Sequence, residues 1–155
     1  MASSMYKQFS TDPKLEKDGV WLDYDLFRIK VARAGGANVA FSKTLEKYSK
    51  PHRRAMDTGT LSEAVARNMM YKVYAETIVL DWTTKDPELD KNGEPVYRRG
   101  IEGPDGELME FNKENVIKTF TALHDLYADV HTQATATSSY QAEDLEADVK
   151  NSPSS

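Results

Sequence analysis

Between Val20 and Val31 the apolar residues fall at alternate positions, first Val20, Leu22 and Tyr24, then Phe27, Ile29 and Val31 against Arg28, Lys30 and Ala32. A period of two on either side of Asp25 predicts two half-buried strands joined as a β-hairpin. Gly35-Gly36 closes that unit, and from Phe41 through Leu45 to Tyr48 the spacing lengthens to that of a helix. Asn38 is placed to cap this helix, and Pro51 to stop it. Thr60-Leu61-Ser62-Glu63 then has the pattern of a capping box with Thr60 as the cap. Behind it Leu61, Val65, Met69 and Val73 form one row, and Ala66, Met70, Tyr74, Ile78 and Trp82 a second. Two adjacent rows make a broad apolar stripe, which predicts a core helix of about 33 Å from Leu61 to Trp82.

From Thr83 to Glu110 the chain turns to Asp, Pro, Gly and Asn, with Asn92-Gly93 and Gly103-Pro104-Asp105-Gly106 as turn signals. This reads as an elaborated loop in which Val96, Tyr97 and Leu108 can form a short second hairpin. Asn112 is placed to cap a last helix carrying Val116, Phe120, Leu123, Tyr127 and Val130. The expected fold is α+β: an N-terminal β-hairpin packed on about three α-helices, with a loop insertion and a flexible C-terminal tail. Residues 1–19 read as a flexible arm, 20–131 as one domain, and 132–155 as a marginal helix over Gln141–Lys150 followed by a disordered serine-proline end.

Composition narrows the class. At 155 residues, 39% hydrophobic and 29% charged, the chain suits one soluble core. With no cysteine, disulfides, thiolate zinc sites and cysteine nucleophiles are excluded. Residues Met1 to Lys7 hold no apolar run suited to a signal sequence, and no later stretch approaches a membrane span. A net charge of -5 argues against a membrane surface or nucleic acid and leaves proteins as the expected partners.

Candidate chemistry fails on spacing. His124 and His131 lie seven apart, about 10 Å along a helix, too far for a two-ligand clamp. Glu88-Leu89-Asp90-Lys91-Asn92-Gly93 resembles the start of a calcium loop, but its twelfth position is Arg99, where a carboxylate is required. Gly35-Gly36 lacks the residues that would complete a phosphate cradle, and carboxylate runs such as Glu143-Asp144-Leu145-Glu146 read as solvent-facing. No catalytic, cofactor-binding or metal residue is therefore assigned, and no cofactor is expected. The densest basic stretch is Lys43, Lys47, Lys50, His52, Arg53 and Arg54. A nucleic-acid role would require it to share a face with Arg28, Lys30 and Arg33; otherwise it is a solvated face or a protein contact. Met69-Met70 could form an adaptable surface but sits on a stripe regular enough to be core.

The order Gly19-Val20-Trp21-Leu22-Asp23-Tyr24, Phe27-Arg28-Ile29 and Ala32-Arg33-Ala34-Gly35-Gly36 resembles the tail assembly chaperones of long-tailed bacteriophages. The likeness continues through Lys50-Pro51-His52-Arg53-Arg54, Thr58-Gly59-Thr60, Tyr74-Ala75-Glu76-Thr77, Trp82, Phe111, Glu114-Asn115, Leu126-Tyr127-Ala128-Asp129 and Leu145 to Asn151. The resemblance implies a non-enzymatic protein of the host cytoplasm, absent from the finished virion. Such a protein holds the tape-measure protein soluble and recruits tail-tube subunits, with self-association a further option. The family commonly makes a longer product by ribosomal frameshifting near the end of the short one, and the serine-rich terminus suits that junction. The alternatives are a structural virion component, such as a tail-completion or connector subunit, and a small nucleic-acid-binding regulator. A holdase needs exposed apolar or adaptable residues, for which Met5, Met56, Met69, Met70, Tyr97 and Met109 are candidates. The partner-binding residues themselves are unknown at this stage.

Overall fold

The computed structural model describes residues 4–85 and 87–141. The expected α+β fold is present, and the N-terminal hairpin is real: β1 (Val20–Asp23) and β2 (Phe27–Val31) pair antiparallel with Leu22 opposite Ile29. A third strand, β3 (Val79–Thr84), completes the sheet in the order β1-β2-β3. Ile29 and Val31 on its inner face are fully buried.

That third strand corrects the long-helix expectation. Helix α5 runs only from Glu63 to Thr77, and Trp82 belongs to β3. Thr77, Ile78 and Val79 are β-branched, a run that favours strand geometry, and the Thr77 hydroxyl donates back to the Val73 carbonyl at 2.8 Å. Pairing with β2 then satisfies the backbone that a longer helix would have satisfied within itself. Ile78 and Trp82 are both buried, as their row implied, but both lie beyond the helix end, Ile78 at its C-cap and Trp82 in β3.

Helix α3 (Val39–Ser49) packs on α5 through Phe41, whose ring meets Tyr74 edge-on. Asn38 does not cap it. Its Nδ2 instead donates to the carbonyls of Arg33 and Thr77, tying the start of α3 to the end of α5. After Ser49 a single 3-10 turn over Lys50–His52 takes Pro51 in its first residues, and α4 (Arg53–Asp57) follows. The cap of α5 is Ser62, which accepts from the Val65 amide at 3.2 Å. Thr60 lies outside the helix because Gly59, at φ +69, reverses the chain after α4 and the Thr60 amide returns to the Ala55 carbonyl.

Segment 83–110 forms two hairpins, β4 (Glu88–Leu89) with β5 (Pro95–Val96) and β6 (Gly100–Glu102) with β7 (Leu108–Glu110). The Trp82 indole donates to the Met109 carbonyl at 3.1 Å, fixing β7 over the core. Asn112 caps the next helix as expected, accepting from the Asn115 amide at 2.8 Å. The last helix is broken, however, into α6 (Lys113–Ala122) and α7 (His124–Thr135), because Leu123 adopts φ -126 and ψ 70. Val116 and Phe120 of α6 and Val130 and Ala134 of α7 all reach the core around Tyr74 and Ile78.

The segment read as a loose arm carries α1 (Ser4–Phe9) and α2 (Pro13–Asp18). Asp12 caps α2 by accepting from Lys14, with Pro13 at the first helical position. Glu16 is 3% exposed and pairs with Arg33 at 2.7 Å. After α7 the chain does bury one large side chain: Tyr140, in a 3-10 turn over Thr137–Tyr140, is fully buried and donates to the Val31 carbonyl. The marginal helix expected over Gln141–Lys150 and the serine-proline end lie, from residue 142 onward, outside the described residues.

Candidate functional site

The two helical histidines are occupied as structural side chains. The break at Leu123 brings α7 against α5 so that Tyr71 Oη meets His124 Nδ1 at 2.6 Å and Tyr74 Oη meets His131 Nδ1 at 2.5 Å. Tyr127 lies between these pairs, its ring 5.0 Å from both tyrosines and 6.1 Å from His131. Burial pushes the Tyr127 hydroxyl up to about 12, with the nearby Tyr71 adding to it, and drives Tyr74 higher still. Hydroxyls held that far above neutrality are poorly matched to proton transfer near pH 7. Among the described residues, no group of three or more His, Asp or Glu is arranged to hold a metal ion.

The other chemical candidates resolve locally. Asp90 of the calcium-like stretch spends Oδ1 on the amides of Asn92 and Glu94, closing a turn, and Glu88 pairs with Arg98. Gly36 is required for a close approach rather than for a phosphate: a Cβ there would sit 2.0 Å from Glu16 Oε2. The carboxylate run from Glu143 onward lies outside the described residues.

The basic residues do not form one functional set. Arg28 is clamped between the rings of Trp21 and Tyr97, 3.9 and 3.7 Å from their centroids, and donates to Thr83 Oγ1 at 2.7 Å. Lys30 lies beside Trp21, and Arg33 is neutralised by Glu16. By contrast Lys43, Lys47, Lys50, Arg53 and Arg54 are exposed and make no ion pair among the described residues. The stack of Trp21, Arg28 and Tyr97 was not legible in sequence; alternation places Trp21 and Arg28 on the outer sheet face, but nothing signals Tyr97.

What the surface offers instead is unburied apolar side chains. Nothing in α1 is buried, and its Met5, Tyr6 and Phe9 are 61%, 63% and 64% exposed. Met5 and Phe9 are four apart and share a helix face. The segment is held to the body from behind, where the Gln141 amide donates to the carbonyls of Lys7 and Gln8 and the Asp12 amide to that of Tyr140. Leu26, at the β1–β2 turn, and Leu89, Val96 and Tyr97 of the first loop hairpin add further exposed apolar area. Of the adaptable candidates, Met5, Met56 and Tyr97 are exposed, whereas Met69 is buried and Met70 and Met109 pack on the core. No described helix is long and apolar enough to cross a membrane.

No family model, no curated protein and no solved structure matches this chain.

Proposed function

We propose that this chain is a bacteriophage tail assembly chaperone. It binds the tape-measure protein in the host cytoplasm, recruits tail-tube subunits, and leaves before the virion is complete. The reading starts from the resemblance in residue order, and one observation carries it further: α1 presents Met5, Tyr6 and Phe9 to solvent on a segment that buries none of its own residues. An amphipathic helix left without a core to cover is suited to an apolar helix of another protein, since docking there removes area from water without disturbing the fold. Support also comes from the engaged state of His124, His131 and Asp90 and from the close approach of Gly36 to Glu16, which leaves binding as the better-supported role.

The test is co-expression with the tape-measure protein of the same phage. The soluble fraction of that protein should rise with the wild-type chain and fall back with the Met5→Asp/Phe9→Asp variant, while the variant keeps its helical circular dichroism. No rise with the wild type sinks the proposal. Mass spectrometry of purified particles separates it from a virion component, because a chaperone is missing from them.

A further inference from the structure

We propose that the cleft between α3 and α5 is a second docking site, one that takes an acidic helical segment with aliphatic anchors from a partner protein. The cleft has a volume of about 390 Å³ and opens beside Val65, Met69 and Lys72 of α5, with Tyr48 and His52 across from them. Its floor is apolar: Met69 is 8% exposed, and Val65, one turn earlier on the same face, is left 40% exposed. Aliphatic side chains four apart on an incoming helix have the same spacing as Val65 and Met69, so two of them can seat together.

The rim decides the charge of the occupant. Lys72 lines the cleft, and Lys47 places its ammonium 5.5 Å from the ring of Tyr48, which also lines it. Lys43 lies one turn before Lys47 on α3, and Lys50, Arg53 and Arg54 flank His52; these cations are without ion pairs among the described residues. The carboxylates facing the same elements do not neutralise them. Glu76 accepts from Tyr48 and pairs with Lys113, Glu63 pairs with Arg67, and Glu46 and Asp57 remain against five lysines and arginines between 43 and 54. A locally cationic, apolar-floored cleft on a chain of net charge -5 selects an acidic ligand over a basic one. The site is separate from α1, so it stands whether or not the chaperone reading holds.

The experiment uses the full chain, isotope-labelled, titrated with a synthetic capped helix of sixteen residues carrying leucine at every fourth position and glutamate between. The expected result is shifts of the Val65, Asn68 and Lys72 amides that weaken as salt is raised, and at least a tenfold loss of affinity in Lys47→Glu/Lys72→Glu. The same helix with lysine in place of glutamate should leave those amides unmoved. Equal binding of both helices overturns the proposal, as does a response confined to α1 or the sheet face. A single-stranded oligothymidine that moves the same amides reassigns the patch to nucleic acid and also overturns it. So do shifts that grow with protein concentration without peptide, which assign the cleft to a second copy.

Discussion

Replacing Arg33 by methionine tests whether residues 4–19 are part of the folded body. Arg33 is the cation on Glu16, whose side chain is 4% exposed, at a contact of 2.7 Å. The Arg33 amide also donates to the Glu16 carbonyl at 2.9 Å, and the Ala37 amide approaches Glu16 Oε1 at 3.4 Å. Methionine keeps the bulk of the stem and removes the charge, leaving a buried carboxylate with one weak donor. Stranding one partner of a buried pair costs about 3–5 kcal/mol, and because Arg33 is itself one-fifth exposed the lower end applies, about 3 kcal/mol. With a urea dependence of about 2 kcal/mol per molar, the unfolding midpoint should fall by about 1.5 M. The double variant Glu16→Gln/Arg33→Met removes both charges and should recover at least half of that loss. Urea unfolding followed by tryptophan fluorescence reads both values. A shift below about 0.3 M in the single variant, or a double variant no better than the single, refutes the reasoning.

Other substitutions probe the rest of the frame. Gly36→Ala places a Cβ against Glu16 Oε2 at a residue with φ +54, and should cost at least about 2 kcal/mol in the same assay. Tyr74→Phe removes the bond from the buried Tyr74 hydroxyl to His131 Nδ1 on the exposed side of α7 and should cost about 1 kcal/mol, lowering Tm by about 3 °C in a calorimetric scan. In alkaline solution the pKa of Tyr127 is about 12 in the fold against about 10 in the unfolded chain, so the native state holds that proton more tightly. Its contribution is fully present below pH 10 and is lost as pH rises toward 12. A phenolate absorbance titration should therefore show an early group of tyrosines and a late group that appears with unfolding; a single wave near the ordinary value contradicts the buried placement.

Much of the fold was legible because it depends on local period. Alternation at Val20–Val31 needs only the sheet's two faces, and Asn112 caps α6 because the amide that donates to its side chain lies three residues away. What failed to show depends on contacts distant in sequence. The row from Tyr74 to Trp82 has helical spacing, yet β3 forms because β2, some fifty residues earlier, offers a paired edge. Asn38 looked like a cap, but the carbonyls of Arg33 and Thr77 hold its Nδ2 and its side chain makes no capping bond. The arm looked loose because it is polar and ends in Lys17-Asp18-Gly19, and nothing local announces that Arg33 waits for Glu16. The regular stripe placed Met69 in the core, where it is buried, whereas nothing in the sequence announced that Met5 stays in water.

If α1 grips an apolar helix of the tape-measure protein, a capture experiment on the full chain will show it. Immobilised wild-type chain should retain the tape-measure protein from a denaturant-diluted solution, and the Met5→Asp/Phe9→Asp variant, equally folded by circular dichroism, should retain little of it. Equal retention by both, or by neither, contradicts the claim.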